Sequence, residues 1–103
     1  MTIIFEISTT HYDDDITIIK KSMINIESIC GVGNGFNLGK PIAKFGWTFF
    51  QLAVSPYLMQ EIEKKFVDMI KRYRGHPDEK FSKFLVDYFD SKGCSVRIKS
   101  IDT

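Results

Sequence analysis

The stretch that decides the fold is CSVRIKSI, residues 94–101. Apolar and polar side chains alternate along it, in the order Cys94, Ser95, Val96, Arg97, Ile98 and Lys99. Successive side chains of a strand point to opposite faces, so strict alternation predicts a strand with one face in the core and one in water. A sheet with one wet face has its helices packed on the other side only. We therefore expect a sheet that is covered on one face.

Two further segments read as strands, TIIFEIS (2–8) and WTFFQLAV (47–54). In the first, Ile3, Phe5 and Ile7 share one face, and alternation again indicates a strand. The second is apolar on both faces, which is typical of a central or well-covered strand.

Residues 14–29 fit two interpretations. Apolar residues recur at helical steps of three and four, at Ile16, Ile19, Met23, Ile26 and Cys30. The three acids of residues 13–15 stand where a helix start is favoured. The segment is also rich in isoleucine, and β-branching lowers helix propensity. We favour a helix, with a hairpin as the alternative.

Two more helices are predicted in the second half. Ser55 is placed to cap the first and Pro56 to occupy its first position. Its apolar stripe then extends towards Gly75, which is placed to end it, through Leu58, Ile62, Phe66, Met69 and Tyr73. The other helix spans about residues 78–92, and Gly93 is its stop.

These elements predict an α+β protein with the order β-α-β-α-α-β. We expect two layers, with a small sheet of about three strands and helices on one face. The 103 residues suit one domain, and 44% hydrophobic content suits an ordinary globular core.

Residues 31–46, GVGNGFNLGKPIAKFG, resemble a phosphate-binding loop in composition only. Aligning Gly39 and Lys40 with that motif puts Asn34 at its first glycine and Pro41 at its hydroxyl residue, and proline offers no N–H. The segment has no clear period, so we expect a connection whose glycines serve turns. The alternative is a loop in which Lys40 and Lys44 bind an anion or an acidic partner.

Composition excludes several functional classes. A net charge of +1 argues against whole-domain nucleic-acid binding, which depends on a basic excess. We expect no signal peptide, no membrane helix and a cytoplasmic location with reduced thiols, because the start is not basic and no apolar run is long enough. Two cysteines and two histidines, widely spaced, predict neither a metal site nor a cofactor.

Two histidines offer the chemistry of an enzyme. His11 and His76 each precede nearby carboxylates, and a His–Asp pair can act in acid–base catalysis. A small hydrolase or transferase is therefore one hypothesis. The alternative is that both residues are merely polar positions in turns.

The segment HYDDD (11–15) is the sharpest acidic feature. Adjacent carboxylates repel one another, so they must be solvated or meet a basic partner. We predict that Tyr12, Asp13, Asp14 and Asp15 form a surface that docks on a positively charged protein; the alternative is a solvated turn.

In general character the chain resembles the small bacterial immunity proteins of contact-dependent growth inhibition systems. The likeness rests on length, on the abundance of Ile, Lys and Phe, on the segment YDDD and on the lack of a catalytic signature. It implies a cytoplasmic, non-enzymatic protein that occludes the active site of a cognate toxin domain, with no cofactor. A dimeric regulatory subunit is a further alternative.

Overall fold

The computed structural model describes residues 3–101. It contains five strands and four helices in this part of the chain. In chain order they are β1 (Ile3–Thr9), α1 (Tyr12–Cys30), β2 (Phe36–Leu38), β3 (Ile42–Lys44), β4 (Trp47–Val54), α2 (Pro56–Lys65), α3 (Val67–Ile70), α4 (Pro77–Ser91) and β5 (Arg97–Ile101). The predicted first strand began at Thr2, which lies outside the described residues.

The strands form one antiparallel sheet in the order β2-β4-β1-β5, and β3 also pairs with β4. The two central strands, β1 and β4, pair along their whole length, from Ile3 opposite Val54 to Thr9 opposite Thr48. With β2 and β3 taken as one edge strand and α2, α3 and α4 as one helical connection, the order of elements is the β-α-β-β-α-β arrangement called split βαβ, which differs from the predicted order β-α-β-α-α-β. The α+β class predicted from the sequence is confirmed.

The prediction of about three strands was wrong, because residues 31–46 contain two more. β2 and β3 both pair with β4, and between them residues 39–41 stand opposite Phe50 and Gln51. Three residues against two is a β-bulge, which shifts the phase of alternation by one residue. The bulge is why these residues have no period in the sequence, although Gly39 N–H still donates to the Gln51 carbonyl at 2.8 Å.

One face of the sheet is buried under the helices. The core combines strand residues such as Phe5, Ile7 and Leu52 with residues of α1, α2 and α4. On α1 the buried positions include Ile19, Met23, Ile26 and Cys30, so the helix predicted for residues 14–29 is confirmed and the hairpin is excluded.

The predicted helix of residues 56–75 is interrupted. Its start is as expected, because the Ser55 hydroxyl accepts a hydrogen bond of 3.1 Å from Leu58 N–H and Pro56 is the first helical residue. At Phe66, however, the backbone leaves the helical region at φ −116° and ψ 26°. Phe66 turns its ring onto Phe84 and Tyr88 of α4. The chain continues as the single turn α3, and Met69 of the predicted stripe is exposed.

The opposite face of the sheet, called here the open face, has no buried residue among the described strands. Strand pairing and alternation place on it Ile4, Glu6, Ser8, Ile42, Lys44, Trp47, Phe49, Gln51, Ala53, Arg97 and Lys99. Strand β4 is thus central, as predicted, but its second apolar face is not covered.

Candidate functional site

Aromatic residues of the central strand lie on the open face. Trp47 and Phe49 are both half-buried and project from β4 on the side away from the helices. The edge strand β3 places Ile42 opposite Phe49 and Lys44 opposite Trp47. Ile42 is 65% exposed, so this part of the face presents apolar surface to water. Contiguous exposed apolar surface with a polar rim is typical of a binding site.

Trp47 has a cationic partner on the other side of β1. The guanidinium of Arg97 lies over the indole ring, 5.0 Å from its centroid. Arg97 stands opposite Ser8 of β1, the strand that lies between β4 and β5. The small side chain of Ser8 leaves room for Arg97 to stack on Trp47. The pair borders a shallow cavity of about 170 Å³ that is also lined by Thr10 and Ser95.

The turn between β3 and β4 exposes a third aromatic ring. It consists of Phe45 and Gly46, with φ values of 54° and 79°. Two-residue hairpins favour positive φ at both positions, but they normally use Asn or Gly, because a bulky side chain is strained there. Phe45 is nevertheless 93% exposed and gains no packing in the fold. Strain without a folding benefit points to a functional role.

The predicted acidic surface divides into two parts. Asp13 and Asp14 are exposed in the first turn of α1, where carboxylates offset the helix dipole. This turn follows the end of β1, the same end of the sheet at which β4 and β5 begin. Asp13 and Asp14 therefore belong to the end of the molecule that holds Trp47 and Arg97.

The other two residues of the predicted surface serve the fold. Tyr12 packs its ring edge-on against Phe50 at 5.3 Å between centroids. Asp15 is 7% exposed, and its carboxylate accepts a hydrogen bond from the Thr9 hydroxyl. Asp15 thus ties the end of β1 to the start of α1, and little of its side chain is exposed, whereas the sequence predicted a surface residue. The sequence alone does not distinguish an aspartate in such a buried hydrogen bond from an aspartate that is exposed to water.

Asp15 also affects the pKa of the Cys94 thiol. Burial raises the pKa of Cys94 to about 12, and the neighbouring Asp15 carboxylate adds to the rise. Burial also raises the pKa of Cys30 above its ordinary value. Both thiols are buried and therefore poor nucleophiles.

The glycine-rich segment is fixed by contacts within the fold. Gly35 N–H donates to the Glu27 carboxylate of α1 at 2.7 Å, and the Gly35 carbonyl accepts from Ser55 N–H at 2.8 Å. A strand follows, so no helix N-terminus meets these amides. Lys40 is exposed in the bulge and Lys44 is exposed on β3, and of the two only Lys44 is placed beside Trp47.

A groove of about 810 Å³ lies between α4 and β5 and includes His76. His76, one of the two histidines of the hydrolase hypothesis, is exposed and is one of the residues that line this groove. His76 precedes Pro77 at the start of α4 and its side chain makes no capping hydrogen bond. Nearby, Asp78 approaches Ser100 Oγ at 3.5 Å, and Tyr73 donates to Asp87. His11 lies elsewhere, with Nδ1 3.0 Å from Thr10 Oγ1.

Residues 3–101 lack two other functional features. No cluster of three or more His, Cys, Asp or Glu side chains is arranged to hold a metal ion. None of the helices in this range has the length and apolar character needed to cross a membrane.

No protein-family model, curated protein or solved structure matches this chain. The site must therefore be interpreted from its own geometry. Sequence reasoning missed Trp47, Phe49, Phe45 and Arg97 as site residues. The signal was present, since a strand apolar on both faces was predicted in a sheet covered on one face only, and this combination leaves apolar side chains without cover.

Proposed function

We propose that the protein is a binding protein that docks a partner protein on one end of its open face. The contact surface, called here the aromatic end, is built from Phe45, Trp47 and Arg97. The observation that carries the proposal is the uncovered aromatic side of the central strand β4, which no helix of the described chain covers.

The composition of the aromatic end suits a protein interface. Trp, Arg and aromatic residues are enriched among the few side chains that carry most of the binding energy in such interfaces. Arg97 is held over Trp47 in the free protein, so a partner meets an ordered pair and loses less side-chain entropy on binding. Phe45 at the hairpin tip is placed to enter a pocket on the partner.

A protein partner explains the surrounding charges better than a nucleic acid does. Aromatic and basic residues on a sheet face also occur where single-stranded RNA stacks on proteins. Here the exposed carboxylates of Asp13 and Asp14 lie at the same end of the sheet. These carboxylates repel phosphate but attract basic residues of a protein.

The specific form of this function that we propose is neutralisation of a toxin domain by steric occlusion. The support is the resemblance to immunity proteins together with two exposed acids, Asp13 and Asp14, at the same end of the sheet as the aromatic end. A nuclease toxin presents a basic groove, which such acids complement. The mechanism requires no cofactor, because occlusion depends on contact alone.

The proposal is tested by affinity capture from the native host after nuclease treatment. The double variant Phe45→Asn, Trp47→Thr alters the aromatic end, and Tyr57→Asn, Val67→Thr is the matched control on the exposed surface of α2 and α3. We expect one stoichiometric protein with the wild type and with the control, and at least about a tenfold loss with the first variant. Equal capture by both variants, or loss of capture on nuclease treatment, contradicts the proposal.

The toxin version has its own test. Neutralising Asp13 and Asp14 as Asn is expected to slow association with the captured protein, by about tenfold at low salt, without raising dissociation to the same extent. The captured protein must also be toxic when produced alone. A non-toxic partner would leave the binding function standing and remove the neutralising role.

A second candidate function is a hydrolase or transferase at His76, favoured by the groove that this residue helps to line. Asp78 and Glu79 supply carboxylates within the same groove. A screen of ester and phosphoester substrates with wild type and His76→Gln decides this candidate. Turnover that disappears in the variant would establish it, and equal background rates would exclude it.

A regulatory dimer is distinguished from a monomeric binding protein by its mass in solution. If a second copy covers the open face, light scattering gives a mass that rises with concentration, and the Phe45→Asn, Trp47→Thr variant stays monomeric. We expect a monomer at all concentrations, because the partner is a different protein.

A further inference from the structure

We propose that the groove between α4 and β5 binds an extended, basic segment of a protein, which adds to the sheet as a further strand beside β5. This goes beyond the docking proposed above, because it concerns a different surface and a different mode of recognition. The groove starts at Ile98 and lies along the edge of the sheet, whereas the aromatic end is on the open face.

The first observation is the free edge of β5. In the described part of the chain β5 pairs with β1 and ends the order of the sheet. The backbone groups of an edge strand that point outward lack strand partners, and they form a template for another strand. Extended peptides bind in this way to many sheets, with backbone hydrogen bonds giving affinity and pockets giving specificity.

The second observation is a groove that lies along that edge. Ile98 and Ser100 of β5 form one wall, and Ser82 and Val86 of α4 form the other, around a volume of about 810 Å³. Val86 and Ile98 are half-buried, so the groove has an apolar base on which the aliphatic stems of alternate Lys or Arg side chains of an added strand can pack.

The third observation is the charge of the groove. Its carboxylates are Asp78, Glu79 and Asp87. Of its two lysines, Lys99 is paired with Glu6 on the open face at 3.5 Å, whereas Lys83 Nζ donates to the Arg74 carbonyl at 2.9 Å and keeps its charge. Three carboxylates against Lys83 leave an excess of negative charge, which favours a segment that carries Lys or Arg.

A second copy of this chain does not fit the same edge. Pairing β5 with another β5 brings Arg97 and Lys99 of the two copies together, and like charges on neighbouring strands destabilise the pair. The occupant is therefore a segment of a different protein.

The test uses fluorescence anisotropy with the full chain and a labelled octapeptide of alternating Val and Lys. Two control peptides carry Glu in place of Lys, or N-methyl groups on alternate backbone amides. We expect binding of the Val-Lys peptide below about 1 mM and at least about tenfold weaker binding of both controls. No binding at about 1 mM, or equal binding of the N-methylated peptide, overturns strand addition.

Variants locate the site. The double variant Glu79→Gln, Asp87→Asn is expected to bind the Val-Lys peptide with an affinity lower by about fivefold or more. The control double variant Glu63→Gln, Asp68→Asn lies outside the groove, and its affinity for the peptide should change less than about twofold. Replacing Asp87 removes the acceptor of the Tyr73 hydroxyl hydrogen bond, and circular dichroism shows whether this disturbs the fold. If it does, the single variant Glu79→Gln is used in place of the double variant.

Hydrogen exchange completes the test. Amides of β5 are expected to gain protection in the presence of the Val-Lys peptide, and protection confined to other strands contradicts the proposal. Variants of Phe45 and Trp47 are expected to bind this peptide normally, so failure of the groove and failure of the aromatic end are distinguishable.

Discussion

The two sides of β4 differ although both are apolar. On the helix side Phe50, Leu52 and Val54 are at most 2% exposed and pack in the core. On the open side Trp47 and Phe49 are only half-buried. Similar residue types therefore have different surroundings in one strand: burial on the first side stabilises the fold, and the second side leaves apolar surface uncovered, where we propose that a partner binds.

The reactivity of the buried Cys94 thiol is the test of the covered side of the sheet with the largest expected effect. The rise in the pKa of Cys94 from 9.0 to about 12 lowers its thiolate fraction at neutral pH about a thousandfold. We expect alkylation by iodoacetamide at pH 8 to be slower in the native protein than in urea by about that factor. Rapid modification of Cys94 in the folded state would show that the helix layer is open.

The same pKa predicts the pH dependence of stability. Above pH 9 the unfolded thiol releases its proton, whereas the folded thiol retains it up to about pH 12. The tyrosine at position 73 acts in the same direction, since burial raises its pKa from 10.0 to about 12. The free energy of unfolding is therefore expected to fall steadily above pH 9, and Cys94→Ala should reduce the slope.

Truncation on β4 compares the two sides directly. Leu52→Ala is expected to lower the free energy of unfolding by about 2–5 kcal/mol, because Leu52 is fully buried. Phe49→Ala, from the open side, should cost about 1 kcal/mol or less. Urea unfolding measures both, and equal losses would mean that the open face also supports the fold.

The acids of α1 extend the comparison to charged residues. Asp15→Ala leaves the Thr9 hydroxyl without its buried partner, so we expect a loss of about 1–3 kcal/mol in the free energy of unfolding. Asp14→Ala, one residue earlier and exposed, should change it by about 0.5 kcal/mol or less. Similar effects at the two positions would contradict the division of the acidic segment.

The hairpin tip gives the smallest change, with the opposite sign. Phe45→Asn relieves a bulky residue at φ 54°, so the free energy of unfolding should rise by about 1 kcal/mol. Capture of the partner should fall in the same variant. A loss of stability would show that Phe45 packs in the fold and is not kept for binding.

The sequence predicts the main elements well because their signals are local. Periodicity identified α1 and α4, and alternation identified β1 and β5. The edge strands β2 and β3 escaped prediction, since the bulge at residues 39–41 breaks alternation and the strands on either side have three residues each. The break at Phe66 depends on rings of α4 that are distant in sequence.

The site was harder to predict than the fold. The acids of residues 13–15 were found by their charge, but nothing local distinguishes buried Asp15 from exposed Asp14. The pairing of Trp47 with Arg97 requires strands fifty residues apart to meet across β1. Such a contact appears only once the strand order is known.

The central claim is that the open face receives the partner, and Trp47 permits a direct measurement because it is the only tryptophan of the chain. Replacing it with fluorotryptophan gives a single fluorine NMR resonance at the aromatic end. When the captured partner is added, we predict that this resonance shifts and broadens and that acrylamide quenches the fluorescence of the unlabelled Trp47 less than in the free protein. An unchanged resonance in a complex that co-elutes as one species would contradict the account.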